Sequence, residues 1–471
     1  MLVEVITFAI LAVVASHCFG LTDGVRITMS YLVAYLMPRI VLERVKGTSN
    51  AACWALFVIA AFVIVCNVAY LLEWTQEDGY SLQLPNLKGD ARNYYKWALN
   101  RYDGSVPSVD VAFPGFPYII FLLWKVLGVS VVWPQAMNMM FTLTSVVLTG
   151  MTVRRLLIGR VDVNEKALVL GGLILNGLLV YYLVTGIHVL KEGSIYLSVA
   201  LVGYSLSSMA AKERESYQWK REIILFFLAC LILAAVRTTF LYFIAMGVVV
   251  VTLPHYHRDW PMAVGMLAIV VITLLIGDHY CNYSFDRHAI IISGGEGMQN
   301  NYISSESQGV YMQIIGPYFL FSPWHRLALL PLSLGLQFIS PFPWILFEDM
   351  TVNNVVSRVT IGWYVVGGIS LFYYLFVSWR RQWNMGSWAW WPAVVFVIIA
   401  YLMAGSMARY VLPFQPLFIP VAVYMLCLLH KGLWCKQIKY WSICYIVLLV
   451  VTLVICFQLQ KNFSLGIMPF S

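Results

Sequence analysis

Apolar runs of about 20 residues, each long enough as a helix to cross roughly 30 Å of hydrocarbon, recur along nearly the whole 471-residue chain. Repetition at that length predicts a polytopic all-α membrane protein, because a segment in lipid must satisfy its backbone hydrogen bonds within itself. Side-chain usage agrees, with 61% of residues hydrophobic and only 11% charged. The net charge of +8 calls for no nucleic-acid partner, since membrane proteins concentrate Lys and Arg in their inner loops. Of the nine Cys, all but Cys281 fall in or beside apolar runs, where a thiol acts as a small hydrophobe. Their spacing matches neither a disulfide framework nor a zinc site.

The positions of Lys and Arg set the threading. Runs at 2–19 and 27–42 form a retained hairpin within residues 1–50, with no basic residue ahead of it to mark a cleaved signal peptide. The run at 51–72 leads outward, and residues 73–133 make a first outer loop. Within it, FPGFPYIIFLLWKVLG (113–128) is apolar enough to span. A crossing there would put Arg154, Arg155, Arg160 and Lys166 outside, so 113–128 is expected to lie along the outer interface. Runs at 134–153, 167–185, 193–211, 223–236, 238–253 and 261–277 then alternate, ending in a long outer loop, 278–326. The Pro-rich LALLPLSLGLQFISPFPW (327–344) is read as interfacial or re-entrant, because each Pro removes a helix hydrogen bond. Runs at 360–378, 388–405, 410–429 and 441–458 complete a single integral domain, 1–471, with about 13 spans, or roughly 11 to 14 once boundary uncertainty is allowed for. No repeat or symmetry between halves is visible in the sequence.

Charges on the outer side are the informative ones, because ionisable groups at membrane depth are costly and usually face a cavity. In LKGDARNYYKWALNRYDG, residues Ala91, Tyr94, Tyr95, Ala98, Leu99 and Tyr102 recur at helical spacing, which predicts a surface helix with one apolar face. Asp90 opens it, a position that suits both an N-cap and a reacting carboxylate. Glu192, in TGIHVLKEG, heads a later span beside Lys191. Taken alone, it reads as a local ion pair or a carboxylate at a helix N-terminus. His188 is read as a bystander. Arg237, in AAVRTTF, falls between two spans.

These segments, in this order, resemble the GT-C superfamily of polytopic glycosyltransferases, in its protein O-mannosyltransferase and aminoarabinose transferase branch. The Asp90 helix followed by 113–128 is similar to the family's first outer loop. VLKEG resembles the acidic motif of its second outer loop, with Glu192 in the acidic position, and MARYVLPFQPLFIP resembles its Arg-Tyr-Leu-Pro segment, placing Arg409 and Tyr410. There are departures: a single Asp90 stands where some relatives carry paired acids, Glu replaces Asp at 192, and the 1–50 hairpin is extra.

The resemblance implies transfer of a sugar from a polyprenyl-phosphate donor to a glycan, lipid or protein acceptor at the outer face, in a bacterial inner membrane. It makes Asp90 and Glu192 the catalytic pair, with Asp90 as general base. Lys191, Arg237 and Arg409 face the lipid phosphate, and Tyr94 and Tyr410 contact substrate. A divalent cation, Mg²⁺ or Mn²⁺, held by Asp90 and Glu192 is optional, because Arg and Lys alone are able to neutralise the leaving phosphate. Two other readings stay open: a polymerase or ligase of lipid-linked oligosaccharides, and a transporter or flippase that moves a lipid-linked sugar without cleaving it.

Overall fold

The computed structural model describes residues 2–107, 114–211, 219–253, 256–281, 323–339, 361–380, 385–403 and 408–430, with positions 440, 442–447, 449–451, 454 and 458. Every regular element among them is helical. Seven helices are long and apolar enough to cross a membrane, or eight if one sharply bent pair counts as a single span. The chain is an all-α membrane protein, and it divides into two compact units, described residues up to 281 forming the first and those from 323 the second.

The first unit begins with α1 (Leu2–Phe19) and α2 (Leu21–Glu43), turned back on each other at Gly20, whose φ of 83° suits glycine. Close packing continues at Gly24, where a Cβ would overlap the Ser16 backbone. Helix α3 (Asn50–Thr75) starts at Ser49, whose hydroxyl accepts from the Ala52 amide at 3.2 Å, a standard N-cap. Helices α4 (Gly89–Tyr102) and α5 (Gly115–Leu127) follow. At 13 residues, α5 is only about 20 Å long, short of a crossing, so the described part of 113–128 does not span as one straight helix.

At the centre of the unit stands α6 (Val132–Leu157), which packs against α2, α3, α5, α7, α8 and α9. Its contact with α9 (Glu192–Ala210) is the most extensive among the described helices, and both helices bury several Ser and Thr side chains. Between them in sequence, the run expected to span at 167–185 is broken. Helix α7 (Glu165–Gly177) ends and α8 (Val180–Ile187) leaves at a 72° bend. The break falls just after Asn176 and Gly177, both poor helix formers. Helices α10 (Trp219–Arg237) and α11 (Phe240–Thr252) pack against α9, and α12 (Tyr256–Cys281) closes the unit against α10 and α11.

The two ends of this unit differ chemically. Where α6 and α9 finish and α7 and α10 begin, Arg154 pairs with Glu165 at 2.8 Å, and Glu222 accepts from Arg155 at 3.1 Å and Arg221 at 2.9 Å. Arg160 donates to the Ala210 carbonyl. The opposite end carries α4, α5 and the start of α9, and with them Asp90, Lys191, Glu192 and Arg237.

The second unit contains α13 (Pro323–Ile339), α14 (Ile361–Arg380), α15 (Gly386–Met403), the short α16 (Ala408–Val411), a 3₁₀ segment (Leu412–Phe418) and α17 (Ile419–His430). The 3₁₀ geometry follows from Pro413 and Pro416, which have no N–H to continue an α-helical ladder. Carbonyls of this segment find other donors: Trp388 Nε1 bonds Leu417 at 3.0 Å and Ser370 Oγ bonds Phe418 at 3.2 Å. Pro331 sits inside α13, so the described part of 327–344 is one proline-bearing helix, with 340–344 outside the described residues.

Candidate functional site

Helix α4 is amphipathic as its spacing predicts, with Ala91, Tyr94, Tyr95, Trp97 and Ala98 buried. The buried face meets protein, which corrects the expectation of a face lying on lipid. The Tyr95 ring packs edge-on against Trp124 of α5, with centroids 4.7 Å apart, and Tyr94 does the same with Phe116 at 5.7 Å. The Tyr95 hydroxyl donates to the Gln83 carbonyl at 2.8 Å, and burial pushes its phenol well above the ordinary 10.0. The N-cap position belongs to Lys88. Asp90 lies in the first helical turn and is exposed, where a carboxylate is favoured by the helix dipole.

Asp90, Tyr94, Trp97 and Arg101 follow one another at i, i+4, i+7 and i+11, so they share one stripe of α4. The Arg101 guanidinium lies 5.4 Å from the Trp97 ring centre. Tyr94 links this stripe to the second acidic motif: the Lys191 ammonium stands 5.7 Å from the centre of its ring, within cation–π reach. Two of the sequence-predicted residues, Tyr94 and Lys191, are thus brought into contact. Asp90 is one turn before the first of them, and Glu192 is next to the second.

Lys191 and Glu192 are both buried, 7% and 1% exposed. Buried charges are costly unless held by partners, so their setting matters. Glu192 occupies the first turn of α9, where its charge faces the positive helix end. The preceding turn is held by Asn138 of α6, whose side-chain amide donates to the carbonyls of His188 at 2.6 Å and Leu190 at 2.7 Å. Glycines bracket the turn for a steric reason. A Cβ on Gly193 would come 2.7 Å from Asn138 Oδ1 and 2.8 Å from the Gly186 carbonyl, and one on Gly186 would strike Thr142 Oγ1. His188 packs edge-on against Tyr70 and Trp74, both at 5.1 Å, and those two rings stack at 5.2 Å. The Tyr196 ring, from the first turns of α9, stacks on Tyr182 at 4.0 Å.

Arg237 ends α10, its guanidinium 5.3 Å from the Phe240 ring, at the break between helices that the sequence places there. Gly115 presses on the backbone of Ala235, two residues before it, so the start of α5 connects Arg237's turn to Phe116 and hence to Tyr94. The end of α12 joins the same group, with Gly277 against Thr238 and Ala234 and the half-buried Asp278 next in sequence. Arg409 and Tyr410 belong to the second unit. Both are in α16, Tyr410 half-buried, and the Arg409 side chain lies outside the described residues, as do the loop positions 282–322.

Among the described residues no three His, Cys, Asp or Glu side chains group as metal ligands. Asp90 is exposed and Glu192 is buried, and no chemical step below passes through a metal. Asn138 is the residue that sequence reasoning missed. An Asn within the apolar run PQAMNMMF is itself a signal, since polar groups at membrane depth are rare and usually have a task.

The arrangement offers an exposed carboxylate for proton transfer, two buried opposite charges at a helix start, and cationic and aromatic groups around them. No family model, curated protein or solved structure matches the chain.

Proposed function

We propose that the chain is a glycosyltransferase that moves a sugar from a polyprenyl-phosphate donor to an acceptor hydroxyl. The observation that carries this reading is the Lys191–Tyr94 contact at 5.7 Å, which joins the Asp90 helix to the turn where the buried Glu192 begins α9. In the proposed reaction the acceptor oxygen attacks the anomeric carbon, and its proton passes to the Asp90 carboxylate. The bond from that carbon to the phosphate oxygen breaks, and its electron pair leaves on the lipid phosphate. Lys191 and Arg237 offset the growing negative charge. Glu192 orients the acceptor, and Tyr94 lines the path of the substrate.

The finer architecture belongs to the same proposal: a GT-C-like arrangement of about 13 spans in a bacterial inner membrane, with the Asp90 end facing outward. The arginines gathered at the opposite end, Arg154, Arg155, Arg160 and Arg221, support that orientation, since basic residues collect on the inner side.

A second reading has its own support. Transporter sites are often built at broken helices, and the 72° break between α7 and α8 lies just ahead of the Lys191–Glu192 turn. Purified protein in liposomes with a panel of polyprenyl-monophosphate sugars separates the two. Release of free polyprenyl phosphate with the sugar on an acceptor is the expected result. Movement of the intact lipid between leaflets, with its sugar never cleaved, would replace the transferase by a carrier.

A further inference from the structure

We propose that Asn138 is a positioning residue that sets the Lys191–Glu192 turn from the neighbouring helix. Its side chain is fully buried and its orientation is fixed. The nitrogen must face the His188 and Leu190 carbonyls, 2.6 and 2.7 Å away, which turns Oδ1 toward Gly193, where a Cβ would come within 2.7 Å. One amide therefore holds the turn on both sides of the charged pair: two carbonyls before it and a close-packed Cα after it.

The need for such a clamp follows from the backbone. Helix α8 stops at Ile187, His188 is extended with ψ at 160°, and α9 starts at Glu192. Carbonyls at a helix end lack partners within their own helix. In an apolar interior an unpartnered carbonyl is expensive. The turn supplies one bond itself, from the Leu190 amide to the His188 carbonyl at 2.7 Å, and Asn138 supplies two more. Lys191 and Glu192 hang from this short stretch, so the direction of both charges is set by α6. The catalytic consequence rests on the transferase reading above; the clamp does not.

Hydrogen exchange on the full chain in detergent, read by peptide mass spectrometry, tests the clamp directly in Asn138→Leu and Asn138→Asp. In the Leu variant, amides of residues 188–193 exchange faster by about ten- to a hundredfold, the factor that two lost hydrogen bonds convert to. Peptides from α4 and α12 keep their wild-type rates. In the Asp variant, protection at 188–193 approaches wild type at about pH 5, where a protonated carboxyl donates one bond, and is lost at about pH 8, where a carboxylate faces two carbonyls. Transfer measured on the same samples falls in kcat more than it changes KM for the polyprenyl-phosphate sugar. Wild-type protein without transfer would remove the transferase reading and leave the exchange result to decide the clamp. Unchanged exchange at 188–193 in the Leu variant overturns the proposal. So does a uniform loss of protection along the chain in both variants, with no recovery of the Asp variant in acid.

Discussion

Tyr31 of α2 donates to Gln135 of α6 at 2.5 Å, both side chains fully buried. Gln135 in turn donates to the Asn67 carbonyl of α3 at 3.2 Å. The N-terminal hairpin, extra by resemblance, is thus bound into the centre of the first unit by a polar bridge in an apolar setting. Removing one partner leaves a buried acceptor unsatisfied, so Tyr31→Phe is expected to destabilise by about 1–3 kcal/mol. The double variant Tyr31→Phe with Gln135→Leu recovers part of that loss. Thermal unfolding in detergent measures both.

Asp90 is exposed in the first turn of α4, with the cap position held by Lys88. Asp90→Asn is nearly isosteric and removes a charge favoured by the helix dipole, roughly 0.3–1 kcal/mol, and the fold is expected to persist. A general base contributes about 10² to 10⁴ in rate, so transfer falls by that factor while donor binding is retained. Unaltered turnover in the Asn variant would falsify the base assignment.

The Tyr94 ring faces Lys191 on one side and Phe116 on another. Tyr94→Phe keeps the ring and is expected to leave donor affinity near wild type. Tyr94→Leu removes the cation–π contact and the edge-on pair, together about 1–2 kcal/mol, and raises KM for the donor. Equal behaviour of the Phe and Leu variants in steady-state assays would show that the ring is not what holds Lys191.

Gly193→Ala puts a methyl 2.7 Å from Asn138 Oδ1 and 2.8 Å from the Gly186 carbonyl. Overpacking of this kind costs about 1–3 kcal/mol. In an Asn138→Ala background one of the two obstructing atoms is gone, so the same substitution should cost less. A double-mutant cycle on melting in detergent reads the difference, and strictly additive effects would argue against the contact.

Tyr95 carries a pH dependence. Its phenol is raised above 10.0 by burial, so the docked α4 keeps the proton that an undocked Tyr95 would release. The stability this contributes is fully present below pH 10.0 and is lost as pH rises toward the higher folded value. Tyr95→Phe is expected to cost about 1 kcal/mol at neutral pH through the lost bond to the Gln83 carbonyl, and to flatten the alkaline part of the melting profile. A variant that melts with the same alkaline slope as wild type would assign that slope to other groups.

Much of the helical layout was legible because hydropathy along one segment is a local property. The amphipathic pattern of α4 and the break at Arg237 follow from residue spacing and from the cost of placing charge in lipid. The bend between α7 and α8 was not legible, since Asn176 and Gly177 weaken a helix without saying which way the chain leaves it. For the same reason the apolar face of α4 was assigned to lipid. Periodicity reveals that a face is apolar, while its partner, here Trp124 and Phe116, is chosen by packing.

The candidate site divides in the same way. Sequence alone singled out Asp90, Lys191, Glu192 and Arg237, because ionisable groups stand out against an apolar chain. Tertiary structure decided that Lys191 meets Tyr94 across 97 positions of chain, that Glu192 is buried while Asp90 is exposed, and that Asn138 holds the turn between them and the core. Those relations depend on helices packing side by side, and close packing joins residues whose distance along the chain carries no record of the contact.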